Sequence, residues 1–124
     1  MPGDDLRITL EAIARDRGMH AAFVLQGIGS LSVATIRYAG IDKPAGLHGD
    51  FEILTLAGSL ASSGAHLHIA VSDASGRVIG GHVAAGCVVR TTAEILLGVL
   101  PDFHFSRETD PQTGFAELVV RPRT

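Results

Sequence analysis

The stretch Gly64-Ala-His-Leu-His-Ile-Ala-Val-Ser-Asp-Ala-Ser-Gly-Arg-Val-Ile-Gly-Gly-His82 decides how this 124-residue chain is read. Strand side chains alternate between faces. Leu67, Ile69 and Val71 therefore share one face, and His66 and His68 share the other. Asp73-Ala-Ser-Gly-Arg77 suits a type I turn followed by a left-handed Gly76. A two-residue Ala74-Ser75 turn would need positive φ, which neither residue favours. The Gly76 loop pairs Asp73 with Arg77 and, counting outward, His68 with His82. Directly opposite residues share a face, so His66, His68 and His82 come together. The two-residue loop would instead set His82 opposite Leu67, on the wrong face, and a bulge at Gly80-Gly81 would also undo the cluster.

Two histidines at i and i+2 on a strand, joined by a third in register, can aim three imidazoles at one ion. Zn²⁺ with Zn–N near 2.0–2.1 Å is the expected occupant, and imidazole also suits Ni, Cu and Fe. Three protein ligands leave a coordination position open, as catalytic zinc sites do. The plainer alternative is a polar pocket in which the three rings hydrogen-bond without metal. An enzyme would want a general base nearby. Glu94, the one glutamate in an apolar run, is a weak catalytic candidate and equally a structural carboxylate.

Outward from the hairpin, residues 4–17 form the one clear helix. Leu6, Leu10 and Ile13 share a face, Asp4 or Asp5 caps the start, and Gly18 ends it. Strands are expected over 20–26, 31–38, 51–57, from Gly64, within 87–100, and over 103–106 and 115–121. Gly27-Ile-Gly29-Ser30 reads as a tight turn, since it matches neither dinucleotide nor P-loop glycine patterns. Residues 39–49, with Gly40, Pro44, Gly46 and Gly49, read as a loop. The nearly all-apolar Phe51–Ala57 predicts a strand buried on both faces. Residues 87–100 admit one bent strand, two strands, or a helix that the β-branched residues disfavour. The class is α+β: one domain over 1–124, with one N-terminal helix and a largely antiparallel sheet of six or seven strands.

Composition bounds the rest. The chain is 46% hydrophobic and 19% charged, which excludes intrinsic disorder. No apolar run reaches the roughly 20 residues of a membrane helix. Cys87 stands alone, so it forms no internal disulfide and reads as a buried thiol. With no basic and apolar leader in MPGDDLRITLEAIARDRG, the expected compartment is the cytoplasm. A net charge of −3 and one lysine, Lys43, disfavour direct nucleic-acid binding, which rests on cations neutralising phosphates. His20, His48 and His104 have no spaced partner and read as structural or surface residues.

Together the segments GIGSLSVATIRYAG (27–40), GDFEILTLAGSLA (49–61), HLHIAVSDASGRVIGGHVAAGCVVRTTAEILL (66–97) and FSRETDPQTGFAEL (105–118) resemble the PPC domain, also called DUF296. The resemblance implies an α+β fold, a homotrimer, and in some members metal at the positions of His66, His68 and His82. It also implies kinship with stand-alone prokaryotic members described as candidate DNA-binding proteins without demonstrated catalysis. This sequence departs in carrying no AT-hook, so DNA is a weakly supported partner. Family members usually begin with a strand before the segment that stands here at Pro2-Gly3-Asp4-Asp5-Leu6; Met1 sits almost on it, so either the start is misassigned or the strand is absent. A metal-dependent hydrolase or lyase acting on a small molecule is the alternative function. A cupin is rejected, because Ala70 to Asp73 stand where its glutamate would follow the H-x-H pair.

Overall fold

The computed structural model of the chain describes residues 1–124. Its elements are α1 (Leu6–Asp16), β1 (Ala22–Arg37), β2 (Ala45–Ala61), β3 (Gly64–Ser72), β4 (Val78–Val83), β5 (Val88–Val99), β6 (Phe103–Thr109) and β7 (Ala116–Pro122). The α+β class, the single helix and seven strands agree with the expectation. The strands divide into a five-stranded sheet of order β2-β3-β4-β1-β5 and a separate β6–β7 hairpin, and all pairings are antiparallel.

The larger sheet closes on itself. β1 carries β2 along one edge. Its other edge carries β5 as far as Val33, and then β4 through Ile36↔Val83 and Arg37↔His82. β1, β2, β3 and β4 therefore form a ring, with β5 continuing from it as an edge strand. The interior is filled by Leu31, Ile36, Leu56, Leu60, Leu67, Val71 and Val83, all essentially buried. Each such side chain contributes roughly 1.5–3 kcal/mol of burial.

Helix α1 packs on this core through Leu6, Leu10 and Ala14. The expected stripe ran through Ile13, but that residue is only half-buried, because the i, i+4, i+8 line is what faces the sheet. Asp5 is the N-cap, accepting from the backbone N–H of Ile8 at 3.0 Å, and Gly18 takes φ +62° after the last turn. Residues 3–6 also hydrogen-bond along the start of β5, from Gly3 N–H to Val89 O and from Leu6 N–H to Cys87 O, both at 2.8 Å. Cys87 is buried as expected, its thiol donating to Thr35 O at 3.3 Å, and burial pushes its pKa up. No helix is long and apolar enough to cross a membrane.

Three expectations are corrected. There is no turn at Gly27–Ser30: β1 runs straight through. These glycines mark the crossing of neighbouring strands, since a Cβ on Gly29 would stand 2.2 Å from Thr92 O. The loop expected over 39–49 ends at Pro44, because residues 45–48 pair with 33–36 of β1. Phe51–Ala57 is not buried on both faces. Phe51, Ile53 and Leu56 point into the core, whereas Leu54 is 45% exposed, because only the inner face of β2 meets the ring. Residues 87–100 form one strand with three register shifts, the bent-strand option.

Candidate metal centre

The hairpin is built as its turn chemistry demands. Asp73 N–H donates to Arg77 O at 2.9 Å, and Gly76 N–H donates to Asp73 O at 3.0 Å. Gly76 takes φ +82°. The Asp73 carboxylate caps the loop by accepting from Ser75 N–H, Ser75 Oγ–H and Arg77 N–H, which holds its pKa low. From this loop the register runs outward without a slip to His68↔His82. The Gly80-Gly81 pair hosts no bulge.

The consequence is a row across four strands: Ala57 of β2, His68 of β3, His82 of β4 and Arg37 of β1. Ser59↔His66 forms the neighbouring row on the same outward face. The ring centroids of His66 lie 5.1 Å from His68 and 5.2 Å from His82. One nitrogen from each ring falls within 4.8 Å of the others. Three nitrogens around one tetrahedral zinc would stand about 3.3 Å apart, so modest rotation of the rings closes the difference.

Two further observations fit an ion. Nδ1 of His82 is buried and has no hydrogen-bond partner, and an orphaned buried polar atom calls for an explanation. Burial also disfavours the protonated form of two of the three, His66 and His82, which leaves their lone pairs available. Burial is the largest cause for both rings. It brings His82 to about 4, with the charges of His66, Arg37 and Arg7 acting in the same direction. His66 is lowered by burial, then Arg107 and His68, against an opposing pull from Glu117.

The site is fastened from behind by a residue that strand alternation does not reveal. Arg7 of α1 donates to Val83 O at 2.9 Å and Ala65 O at 3.1 Å. Its Nε donates to Glu11 Oε1 at 3.0 Å, and that oxygen also accepts from Ala65 N–H. Arg7 thus ties together the backbone beside His66 and the backbone beside His82. Its Nη1 lies 3.3 Å from His82 Nε2, the longest of these contacts. An ion on His82 needs a lone pair free of protons, so this contact is the one that yields.

His66 and His82 also line a cleft of about 520 Å³ between the ring and the β6–β7 hairpin. The hairpin closes one side through Phe105, buried against Ala21 and Ala61, and through Arg107, whose Nη2 donates to Ser59 Oγ at 2.8 Å. Within Arg107-Glu-Thr-Asp110-Pro-Gln-Thr113-Gly114, the segment that links β6 to β7, Asp110, Thr113 and Gly114 build the hairpin turn, where Gly114 N–H donates to Asp110 O at 2.7 Å. Arg107 alone reaches the cleft. Glu94 is not brought to the site: it is exposed on β5 opposite Ile28, whereas His82 sits opposite Arg37. His20 and His104 stack at 5.6 Å, a pairing not visible in the sequence, and no third ligand joins them.

The Plants and Prokaryotes Conserved (PCC) domain, the PPC domain of the resemblance above, matches residues 1–101. The chain belongs to this family. A hypothetical protein from Salmonella enterica superimposes over the whole chain and 90% of its own length, with TM-score 0.97 and 40% identity. A candidate DNA-binding protein from Ralstonia eutropha covers 95% of this chain and 85% of its own at TM-score 0.82 and 28% identity. The metal-containing protein AF0104 from Archaeoglobus fulgidus covers 96% of this chain and 88% of its own at TM-score 0.77 and 25% identity. Among sequences, the bifunctional protein GlmU of Synechococcus sp. (strain JA-2-3B'a(2-13)) is 48% identical over 121 residues. The chain spans about a fifth of that relative's length, 19% of it.

Proposed function

We propose that this PPC domain is a metal-binding module that works as a homotrimer, with His66, His68 and His82 holding one transition-metal ion, Zn²⁺ by preference. The observation that carries the reading is the convergence of three imidazoles, one with an unpartnered buried nitrogen. The metal-containing description of the Archaeoglobus relative supports it. Zinc is favoured because a site made only of imidazole and with room for a fourth ligand suits its tetrahedral preference. Bound there, zinc would supply Lewis-acid character and a lowered pKa for bound water. The open position favours small-molecule chemistry as the second reading, a hydrolase or lyase.

Self-association is supported by large apolar side chains left on outward surfaces: Leu25 and Ile28 of β1, Leu54 of β2 and Leu96 of β5. DNA association, described for the Ralstonia protein, is the weaker proposal here. The net charge of −3 and the missing AT-hook weigh against it.

The test is ligand-linked stability. Zinc added to chelator-stripped protein at a hundredfold excess over its Kd adds about 2.7 kcal/mol of stability. That is a rise in Tm of about 10 °C for a chain of this size. The His66→Ala variant shows no such rise. A wild-type Tm indifferent to zinc, cobalt and nickel would contradict the proposal.

A further inference from the structure

We infer that the cleft beside the histidines binds a small organic oxyanion, a molecule carrying a carboxylate or phosphate group. This rests on the metal reading only for the ion at the cleft's edge. The charge distribution stands on its own. The chain has 13 acidic residues and a net charge of −3, yet none of the cleft's lining residues is acidic. Three of them are arginines from three separate elements: Arg7 of α1, Arg37 of β1 and Arg107 of β6.

Arg7 is committed elsewhere, to Glu11 and two backbone carbonyls. Arg37 and Arg107 have no carboxylate within ion-pair distance, whereas Arg90 and Arg121 on the outer surface do. Arg37 makes only a long 3.5 Å contact to Ile41 O, and Arg107 donates to a neutral hydroxyl, Ser59. Glu117 is near enough to influence His66 but does not line the cleft.

Two unpaired guanidiniums facing one concavity are matched to the geometry of carboxylate and phosphate oxygens. Ser63 adds a hydroxyl donor, and Leu60, Phe105 and Leu118 add an apolar wall for the rest of a small molecule. His66 and His82 belong to both cluster and cleft, so an anion held by the arginines borders the ion.

The experiment uses the full chain loaded with Co²⁺, whose visible absorption reports its ligands. Acetate and inorganic phosphate are titrated separately, with acetamide as the uncharged control. Wild type is expected to respond saturably to acetate, phosphate or both, and not to acetamide; which anion responds identifies the source. Arg37→Gln and Arg107→Gln should keep cobalt and weaken the anion by about tenfold each, the loss expected for one charge-assisted hydrogen bond. Anion affinity unchanged in both variants with cobalt retained would overturn the inference. Displacement of the anion from the same arginines by a short duplex oligonucleotide would overturn the small-molecule assignment in favour of a nucleic-acid backbone. If wild type takes up no cobalt, the metal reading fails by itself. Calorimetry of the metal-free protein with the same anions then decides: arginine-dependent binding supports the cleft, and no heat overturns it.

Discussion

Replacing Arg7 with methionine tests whether the helix holds the histidine strands in place. Methionine keeps the length and apolar stem of the side chain but removes all three donors. The loss is concrete: Val83 O, Ala65 O and Glu11 Oε1 each lose a guanidinium hydrogen bond of 2.9–3.1 Å. A hydrogen bond to a charged group contributes about 1.5–3 kcal/mol when buried. The Arg7 and Glu11 side chains are 26% and 27% exposed, so water recovers part of this. A net cost of about 2–3 kcal/mol follows, or about 10 °C in Tm at this chain length. Urea unfolding at fixed protein concentration, with wild type, Arg7→Met, Glu11→Gln and the double variant, measures the cost and the coupling. The pair shares Ala65, so about 1 kcal/mol of non-additivity is expected. A cost below 0.5 kcal/mol with an additive cycle would refute the positioning role.

Other outcomes follow from the same geometry. In the metal-free protein the folded pKa of His82, about 4, lies below its unfolded value, so the unfolded chain binds the extra proton. Stability is therefore full above pH 6.5 and is lost as pH falls toward 4; a urea midpoint flat between pH 7 and 4 would contradict this. Gly81→Ala puts a Cβ 2.6 Å from Arg37 O, where β4 closes against β1. That variant should lower Tm by several degrees, whereas an unchanged melt would show that the closure is soft. Sedimentation velocity at micromolar concentration should give a trimer, and a monomer would remove the self-association proposal.

The hairpin was legible because its determinants are local. A period of two assigned the faces of His66 and His68, and the Asp73–Arg77 turn chemistry set the register that brings in His82. The long strands were misread because an internal glycine resembles a turn until its neighbours are known. Gly29 is needed where β5 presses on β1, and Thr92 O is contributed from far along the chain. The cleft was hidden for the same reason. Arg37 meets His82 only through closure of the ring, Arg107 arrives from a separate hairpin, and Arg7 comes from the helix. The segment 105–118 carries part of the family resemblance, but its sequence does not show that Arg107 reaches the cleft while Asp110, Thr113 and Gly114 shape a turn. The expected burial of Phe51–Ala57 failed because apolar content does not say which face another chain segment covers.

The central claim is that three histidines hold one ion. Elemental analysis of tag-free purified protein, beside His68→Ala, tests it most directly. The histidine is exposed, so its loss leaves the core intact. The account predicts close to one zinc or other transition-metal ion per chain in wild type and little in the variant. No metal in either sample after reconstitution would contradict it.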